Sequence, residues 1–314
     1  LNDPVNGDQF EQFEDRWTTG GKLTHRRISR VAGKPSESLF GVDFRSDSVG
    51  GPLGLYLTRA TERIATGRAD EVNQQSVGLF GETEVEWSRI ARTTFGLRGD
   101  FYHWDVTAKK PVNSGTETSG IMSPKVSAAF GPWGGTEIYT NWGLGFHSNS
   151  ALGIMLNADP FTNEKVSPSP AFARSNGVEF GIRTVAVPGL QTTATVWYLG
   201  FDSELIYVGD SGSTEDGPGT HRSGFEVTNY FSPNPWTTVD LDVSFSRARF
   251  IDMPVGEAFV PGALNRVISG GVAVSPPEGL SSGPFGGVRL RHFGPRALLE
   301  NNSVKSESSS FVNA

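Results

Sequence analysis

The stretch VDLDVSFS, from Val239 to Ser246, has a large apolar side chain at every odd position and Asp or Ser at every even position. Successive side chains of a β-strand point to opposite faces, so one face of this segment is apolar and the other is polar. The two faces therefore meet different surroundings. In a soluble sandwich the apolar face packs into a core, whereas in an outer-membrane barrel it faces lipid and the carboxylates face a wet interior.

Composition narrows the classes of protein that fit the chain. It has 314 residues and a net charge of −7, from 27 basic and 34 acidic residues, with no basic stripe, which argues against nucleic acid as a partner. It has no cysteine, so a disulfide framework and a thiolate metal site are both excluded. Its apolar runs, such as Ala151–Leu156, are far shorter than the ~18 residues that a transmembrane helix needs.

Alternation of apolar and polar residues recurs along almost the whole chain, while helical periodicity is nearly absent. We predict twelve antiparallel strands and the beginning of a thirteenth near Ser308. The predicted strands are Arg16–Ala32, Ser36–Arg45, Asp70–Trp87, Ala91–Thr107, Met122–Pro132, Thr136–Ser148, Arg174–Val187, Gln191–Val208, His221–Ser232, Thr237–Ile251, Arg266–Ser275 and Phe285–Pro295.

The lengths of the strands and of their connections favour a membrane barrel over a sandwich. Many segments run to roughly 12–18 residues, whereas strands of globular proteins cluster near ~5–6. Short and long connections also alternate, as in outer-membrane barrels, which have tight turns on one rim and long loops on the other. The short connections are Ala32–Pro35, Ser88–Ile90, Pro132–Gly135, Pro188–Leu190 and Pro233–Pro235. The long ones are Ser46–Ala69, Ala108–Ile121, Asn149–Ala173, Gly209–Thr220 and Asp252–Asn265.

Aromatic residues cluster near the predicted strand ends. Trp87, Trp133 and Trp236 lie beside short turns, where a girdle of interfacial side chains is expected. The strand ends on the other rim carry Tyr102, Trp104, Phe146 and Phe250, which we interpret as the second girdle. Residues that close a soluble core are the alternative interpretation.

The hairpin around Ser88–Ile90 suggests how charges pair on the polar face. Folding it there places Glu86 opposite Arg92 and brings Glu82 near Arg98 on the diagonal. Charges that pair across strands inside a barrel would show this pattern, and so would an exposed salt-bridge ladder worth little energy. The pattern therefore supports the topology and not a site.

The order of several short motifs resembles that of the TonB-dependent outer-membrane receptors. Each motif alone is weak, but six of them in family order, with matching spacings, cover nearly the whole chain. The motifs are GLRGDFY (Gly96–Tyr102), SPKVSAAF (Ser123–Phe130), EIYTNWGLGFHSN (Glu137–Asn149), GVEFGIRT (Gly177–Thr184), the segment Gly224–Phe250, and VRLRHFGPRAL (Val288–Leu298).

The resemblance implies a barrel of about 22 strands with a plug domain inside it. It also implies energy transfer from TonB through a segment ahead of the plug, import of a ferric siderophore or another scarce nutrient, and a location in the outer membrane of a Gram-negative bacterium. Compared with the family pattern, we expect residues 1–314 to lack the plug, the TonB-binding segment and the first strands, and to include only the start of the last strand. We therefore expect residues 1–314 to be the C-terminal portion of such a barrel.

No arrangement of residues predicts catalysis, so we expect a transport protein and not an enzyme. The five His are scattered and have no metal-ligand spacing, and Asp210–Gly219 lacks the spaced ligands of an EF-hand calcium loop. Glycine-rich segments precede no helix and do not predict phosphate binding. No cofactor is predicted.

The candidate contacts lie on the polar face and on the outer rim. Arg98, Asp240, Asp242, Arg289 and Arg291 are expected to face the lumen, where they would contact the missing plug or an anionic ligand, or pair with one another. His147 ends a strand at the outer rim and is a candidate ligand contact, although a rim hydrogen bond is the simpler role. The membrane lipid is the expected partner of the apolar face.

Two other functions are compatible with the pattern of strands. A non-energised barrel, such as a porin or an adhesin, needs no plug. A secreted all-β binding module or carbohydrate-active enzyme would instead pack the apolar faces into a core.

Three structural expectations separate these interpretations. Val239, Leu241, Val243 and Phe245 should lie on an outward face and not against a second sheet. The tight turns should share one rim and the long loops the other. Twelve or thirteen strands should form one curved sheet that stays open, with unpaired edges, because the curvature is fitted to a larger strand number. Such edges are adhesive, so the isolated fragment should insert poorly and aggregate.

Overall fold

A computed structural model describes residues 5–208, 213–254, 256–277 and 283–314 of the chain. Almost all of the regular structure in these residues is β-strand. The strands are β1 (Gln9–Phe13), β2 (Arg16–Val31), β3 (Lys34–Arg59), β4 (Glu62–Ser88), β5 (Ala91–Thr107), β6 (Gly115–Trp133), β7 (Thr136–Ser148), β8 (Phe172–Thr184), β9 (Leu190–Phe201), β10 (Leu205–Val208), β11 (Ser213–Asp216), β12 (Thr220–Asn234), β13 (Thr237–Phe250), β14 (Arg266–Val274), β15 (Gly286–Phe293) and β16 (Ser309–Asn313). A 3₁₀ turn (Pro111–Asn113) and one short helix, α1 (Ala151–Ile154), complete them. Within the described residues, no helix has the length and hydropathy needed to cross a membrane.

One antiparallel sheet contains all strands except β10 and β11, which pair only with each other. Strands adjacent in the chain are adjacent in the sheet, and β1 and β2 both pair with β3, against Gly54–Thr58 and Lys34–Val49. They therefore act as one strand interrupted at residues 14–15. Among the described residues no pairing joins β2 or β1 to β16, so the sheet is open, as predicted.

The predicted strands correspond to β2–β9 and β12–β16, but several of their bounds are wrong. The stretch Ser46–Ala69 is not a loop, because β3 and β4 continue through it to a tight turn at Ala60 and Thr61. Register shifts after Val49 and after Leu55 absorb the irregular sequence there. The sequence did not indicate this extension, because its glycines and Pro52 weaken the alternation on which the prediction rests.

Three further differences concern segments on the side of the long connections. The strand β6 begins at Gly115, so much of the predicted loop Ala108–Ile121 is strand. The short strand β1 (Gln9–Phe13) lies ahead of Arg16, where the first predicted strand begins. The predicted loop Gly209–Thr220 contains β11, and residues 209–212 lie outside the described part of the chain.

The connections are sorted between two rims, as expected for consecutive antiparallel strands. The tight connections after β2, β4, β6, β8 and β12 share one rim, which we call the turn rim. The connections after β5, β7, β9, β13 and β15 share the other, the loop rim, together with the turn between β3 and β4. The longer connection at residues 275–285 also belongs to the turn rim, so the sorting by length is not complete.

One face of the sheet carries exposed hydrophobic side chains and is here called the apolar face. A single row runs through Phe180, Val196, Phe225 and Phe245 on four neighbouring strands. Their exposed fractions are 50%, 49%, 42% and 46%, so no second layer covers them. Leu241 is 45% exposed on the same face, and Val239 and Val243 are half-buried. This confirms that the odd residues of β13 do not pack against a second sheet.

A compact hydrophobic core forms instead at the loop rim, on the opposite face. The connection 149–171 folds back over the sheet and places α1 against β4 and β5. The buried members of this loop-rim cluster are Val49, Val72, Trp104, Val106, Ala151, Leu152, Ile154 and Met155. The second aromatic girdle predicted for this rim is therefore wrong for Trp104, which is 0% exposed, and for Phe250, which is 7% exposed. Tyr102 stacks on Trp104 at 5.3 Å, and Phe146 meets Tyr102 at 6.1 Å.

Polar contacts fix the covering loop to the turn before β6. The buried side chain of Asn113 donates to the carbonyl of Ala158 at 2.9 Å and accepts from the backbone N–H groups of Asn157 and Ala158, also at 2.9 Å. Nearby, the Lys110 ammonium donates to the carbonyl of Asp159 at 2.6 Å. A buried amide with three such bonds substitutes for water along a stretch of irregular backbone.

Replacing Asn113 should therefore release the loop 149–171. We expect Asn113→Ala to leave two backbone N–H groups, that of Ala158 buried, and one carbonyl unpaired, a loss of about 1–3 kcal/mol for the local structure. The measurement is the rate of limited proteolysis within 149–171, which should rise at least severalfold. Glu117→Ala, at an exposed position in the following strand, is the control and should cleave at the parent rate. Equal cleavage of both variants would show that Asn113 does not anchor the loop.

Candidate functional site on the polar face

The polar face of the sheet, opposite the apolar face, carries ion pairs that span three strands. The first is centred on Arg98 in β5, which donates to Asp43 of β3 at 2.8 Å and to Asp100 at 2.6 Å. Gly78 of β4 lies between Asp43 and Asp100 in register. A Cβ atom on Gly78 would be 2.1 Å from the Arg98 Nη2, so the ion pair requires glycine at this position.

A second ion pair repeats the arrangement one step along the sheet. Glu82 of β4, Gly96 of β5 and Lys125 of β6 are in register, and the Lys125 ammonium contacts the Glu82 carboxylate over the glycine. A Cβ atom on Gly96 would lie 2.6 Å from Lys125 Cε. Strands in a sheet are about 4.8 Å apart, so a side chain that reaches two strands away must cross the position of the middle residue.

The third ion pair joins two of the residues singled out from the sequence. Asp240 of β13, Gly271 of β14 and Arg289 of β15 are in register, and Arg289 Nη2 lies 2.5 Å from Asp240 Oδ1. A Cβ atom added to Gly271 would lie 3.3 Å from Asp240 Oδ1 and 3.4 Å from Arg289 Nη2. Glycine thus leaves the space through which this ion pair passes. We call these three arrangements the glycine rows.

A neutral pair uses the same geometry. The Tyr139 hydroxyl of β7 lies 2.6 Å from the Thr195 hydroxyl of β9, and Gly181 of β8 lies between them in register. A Cβ atom on Gly181 would be 2.4 Å from the Tyr139 ring. Each of these bridges, whether charged or neutral, thus crosses a glycine in the middle strand.

Charged residues surround a polar cavity near the turn rim. Glu137 accepts from Arg92 at 3.0 Å and from Arg183 at 3.2 Å, and it borders a cavity of about 240 Å³. Tyr139, Asn141 and Glu179 line the same cavity. The cavity has hydrogen-bond donors and acceptors of both charge signs, which suits contact with another polar surface more than binding of one small ion.

The register of the hairpin β4–β5 is as predicted, but its charged residues form ion pairs outside the predicted positions. Glu86 and Arg92 are opposite each other as predicted, but Arg92 bonds Glu137 of β7. Glu82 lies on the diagonal from Arg98 as predicted, since it is in register with Gly96, but Glu82 pairs with Lys125 and Arg98 pairs with Asp43 and Asp100. Sequence reasoning considered only the two strands of the hairpin, whereas the partners lie two strands away.

The remaining candidate residues fall in different environments. Asp242, Ser269 and Arg291 form a row next to the third glycine row, but Ser269 occupies its middle position. Asp242 Oδ1 is buried without a hydrogen-bond partner among the described residues, and Arg291 is exposed. His147 is exposed one residue before the end of β7, at the loop rim. The structure therefore joins Asp240 to Arg289 and does not bring Asp242, Arg291 and His147 together.

Sequence reasoning missed Asp43, Asp100, Lys125 and Glu137 as partners on the polar face. The signal that could have found them is an acid, a glycine and a third polar residue that come into line once three strands are set in register. In the described residues, no group of His, Cys, Asp and Glu has an arrangement that could hold a metal ion.

The fold and its two faces define the class of the protein, an antiparallel β-sheet of the outer-membrane barrel type. The model of the family "TonB dependent receptor-like, beta-barrel" matches residues 2–309, so the chain belongs to this family. No curated protein matches the sequence.

Solved structures of the same fold agree with this assignment. The ferric citrate transporter FecA has a TM-score of 0.73 with 12% identity, over 97% of this chain and 47% of its own. The ferric yersiniabactin uptake receptor FyuA from Yersinia pestis has a TM-score of 0.70 with 11% identity, over 97% and 46%. The ferric preacinetobactin receptor BauA from Acinetobacter baumannii has a TM-score of 0.71 with 9% identity, over 97% and 47%. The chain thus spans just under half the length of these receptors.

The glycine rows make a direct prediction about stability. Gly78→Ala should displace the Arg98 guanidinium and lower the free energy of unfolding by about 1–2 kcal/mol, the worth of a part-buried pair. Gly99→Ala in β5 is the matched control, since a Cβ there would meet no atom within 4 Å. It should change stability by less than about 0.5 kcal/mol. Denaturant unfolding of the protein in detergent micelles measures both.

A double-mutant cycle tests whether the effect passes through Arg98. In an Arg98→Gln background, Gly78→Ala should lose most of its cost, because the side chain that it displaces is gone. Additive effects of the two substitutions would contradict the role given to Gly78.

Proposed function

We propose that this chain forms part of an outer-membrane receptor that imports a scarce nutrient with energy supplied through TonB, in a Gram-negative bacterium. The family match over residues 2–309 carries the proposal. The two faces of the sheet support it, because a row of exposed apolar side chains suits contact with lipid, and paired charges suit a wet lumen.

The ligand that we propose is a ferric siderophore or a related metal complex. The structural neighbours FecA, FyuA and BauA are named for ferric citrate, ferric yersiniabactin and ferric preacinetobactin. Their identities of 9–12% relate the folds and not the ligands, so the proposal concerns the class of ligand alone. The plug and the segment that contacts TonB would be carried by sequence outside residues 1–314.

In this proposal the polar face contacts the plug or the ligand. Three of the candidate residues, Arg98, Asp240 and Arg289, form ion pairs within the sheet. They would stiffen the part of the barrel that this sheet forms. Arg291 is exposed, and in the described residues it forms no ion pair, so its guanidinium is available to an anionic ligand or to a plug carboxylate. His147 would contact a ligand at the loop rim.

The transport function is tested by growth under iron limitation. The protein would be expressed from its gene in a strain that lacks its own siderophore receptors, with a panel of ferric siderophores as iron sources. We expect growth on at least one of them, and loss of that growth when TonB is deleted. Growth that persists without TonB would favour a non-energised barrel, and no growth on any complex would exclude ferric siderophores as the ligand.

Two neighbouring arginines should separate a structural role from a ligand-binding role. Arg289→Gln removes the partner of Asp240, whose second oxygen is already buried without a bond, so stability should fall by about 1 kcal/mol. Arg291→Gln should leave stability unchanged but raise the half-saturating ligand concentration by up to about tenfold, the worth of one charge-assisted hydrogen bond. Radiolabelled iron uptake and denaturant unfolding measure the two effects. A destabilised Arg291→Gln variant with unchanged uptake would contradict this assignment.

A further inference from the structure

At the loop rim the apolar face ends in a group of arginines. The ladder between β12 and β13 is regular from Phe225–Phe245 through Ser223–Arg247 to His221–Arg249. Because side chains alternate along a regular strand, Arg247 and Arg249 lie on the same face as Phe245. The row of Phe180, Val196, Phe225 and Phe245 also ends in a basic residue, since Phe245 pairs with Arg266 of β14.

Basic side chains also enclose a small cavity at this place. It has a volume of about 210 Å³ and is bordered by Arg247, Arg249, Arg296 and Lys305, with no carboxylate among its described lining residues. We call these four residues the basic cluster. The Arg249 guanidinium packs 3.8 Å above the ring of Phe259, which holds it in place without neutralising it.

The basic cluster lacks the carboxylate partners that several basic residues of the polar face have. Arg98, Lys125 and Arg289 on the polar face each contact a carboxylate. No ion pair of the described residues includes a member of the basic cluster, although acidic residues outnumber basic ones in the chain, 34 to 27. Nearby, Arg266 Nε is buried and has no acceptor, while its Nη2 lies 3.2 Å from His292. Unpaired cations of this kind are positioned for an anion that is not part of the chain.

An apolar groove leads to the basic cluster. It has a volume of about 730 Å³ and is bordered by Val196, Phe225 and Phe245, and at its other end by Arg247 and Arg266. The groove and the cavity share Arg247 as a lining residue. The combined site is therefore amphipathic, with hydrocarbon-binding side chains on one side and guanidinium groups on the other.

We infer that the groove and the basic cluster bind a phosphorylated membrane lipid, with acyl chains along Val196, Phe225 and Phe245 and a headgroup phosphate at Arg247 and Arg249. The inference rests on the membrane placement given under Proposed function. Phosphate oxygens accept hydrogen bonds from the paired N–H groups of a guanidinium. The apolar groove beside the arginines favours an anion that carries acyl chains over one that is free in solution. The loop rim would place this headgroup in the outer leaflet.

The test uses the full-length protein that contains residues 1–314, reconstituted in phosphatidylcholine nanodiscs, with diphosphorylated lipid A as the probe. Affinity for lipid A is compared for the parent, for Arg247→Gln/Arg249→Gln and for the control Arg27→Gln/Arg30→Gln. The control removes the same charge from exposed residues of β2 near the turn rim. Each basic side chain at an anionic lipid surface strengthens binding about fivefold, so the test variant should bind roughly 25-fold more weakly and the control less than twofold. Arg247→Lys/Arg249→Lys keeps the charge but loses the paired guanidinium donors, so its affinity should lie between that of the parent and that of the Gln variant.

The outcomes separate the inference from the proposed function. An equal loss of affinity in test and control variants, or no loss in either, would overturn the lipid site. Displacement of lipid A by millimolar inorganic phosphate would show a small-anion site instead of a lipid site, and would also overturn it. A protein that does not enter nanodiscs would contradict the membrane placement itself, whereas insertion with unchanged lipid A binding would contradict only the lipid site.

Discussion

The register of the antiparallel ladders is the constraint on which the polar face depends. Registered strands place residues of three neighbouring strands in one line, with outer members about 10 Å apart. An Arg, Lys or Tyr side chain can cover that distance only if the middle residue does not fill the space. Gly78, Gly96, Gly271 and Gly181 provide it, and each lies under a bridge between the strands on its two sides. These glycines cost strand propensity, and the bridges compensate by fixing three strands to one another.

Alternation sorts the charges of the sheet into two groups with different surroundings. On the polar face, cations such as Arg98 and Arg289 are neutralised by carboxylates of the chain itself. On the apolar face, charge is present mainly where the exposed hydrophobic rows end, as at Arg247 and Arg266. Lipid tails cannot solvate a guanidinium group, so such residues are tolerated only where headgroups or water begin. The position of the arginines therefore marks the height at which the hydrocarbon environment would end.

Much of the fold could be predicted from the sequence, because one face of each strand is apolar and a period of two is easy to detect. Strands such as β5, β7 and β13 were predicted with bounds within a residue or so. The prediction failed where the alternation is weak, as in the glycine-containing part of β3, and where a strand is too short to show a period, as in β1. The family resemblance helped in the same regions, because its motifs lie in the regular parts of the strands and not in the irregular ones.

The loop-rim cluster shows a different limit of the sequence. Trp104 has an even residue number in β5, as Arg98 and Asp100 have, so its side chain lies on the polar face. It is buried there only because the loop 149–171 covers it. Nothing in the alternation of β5 predicts that a loop more than forty residues further along the chain will return to cover it. Tertiary contacts of this kind depend on side-chain packing and on the polar anchors at Asn113, and neither has a period that can be read from sequence.

The candidate site could be predicted only in part for a related reason. Parity placed Asp240 and Arg289 on one face, and the structure joins them. Parity did not distinguish them from Asp242 and Arg291, which have the same pattern one row away. The difference lies in the middle strand, where Gly271 leaves room for a bridge and Ser269 instead accepts a hydrogen bond from Arg289 at 3.2 Å. One side chain in the strand between two charges thus decides whether they neutralise each other or remain available to a ligand.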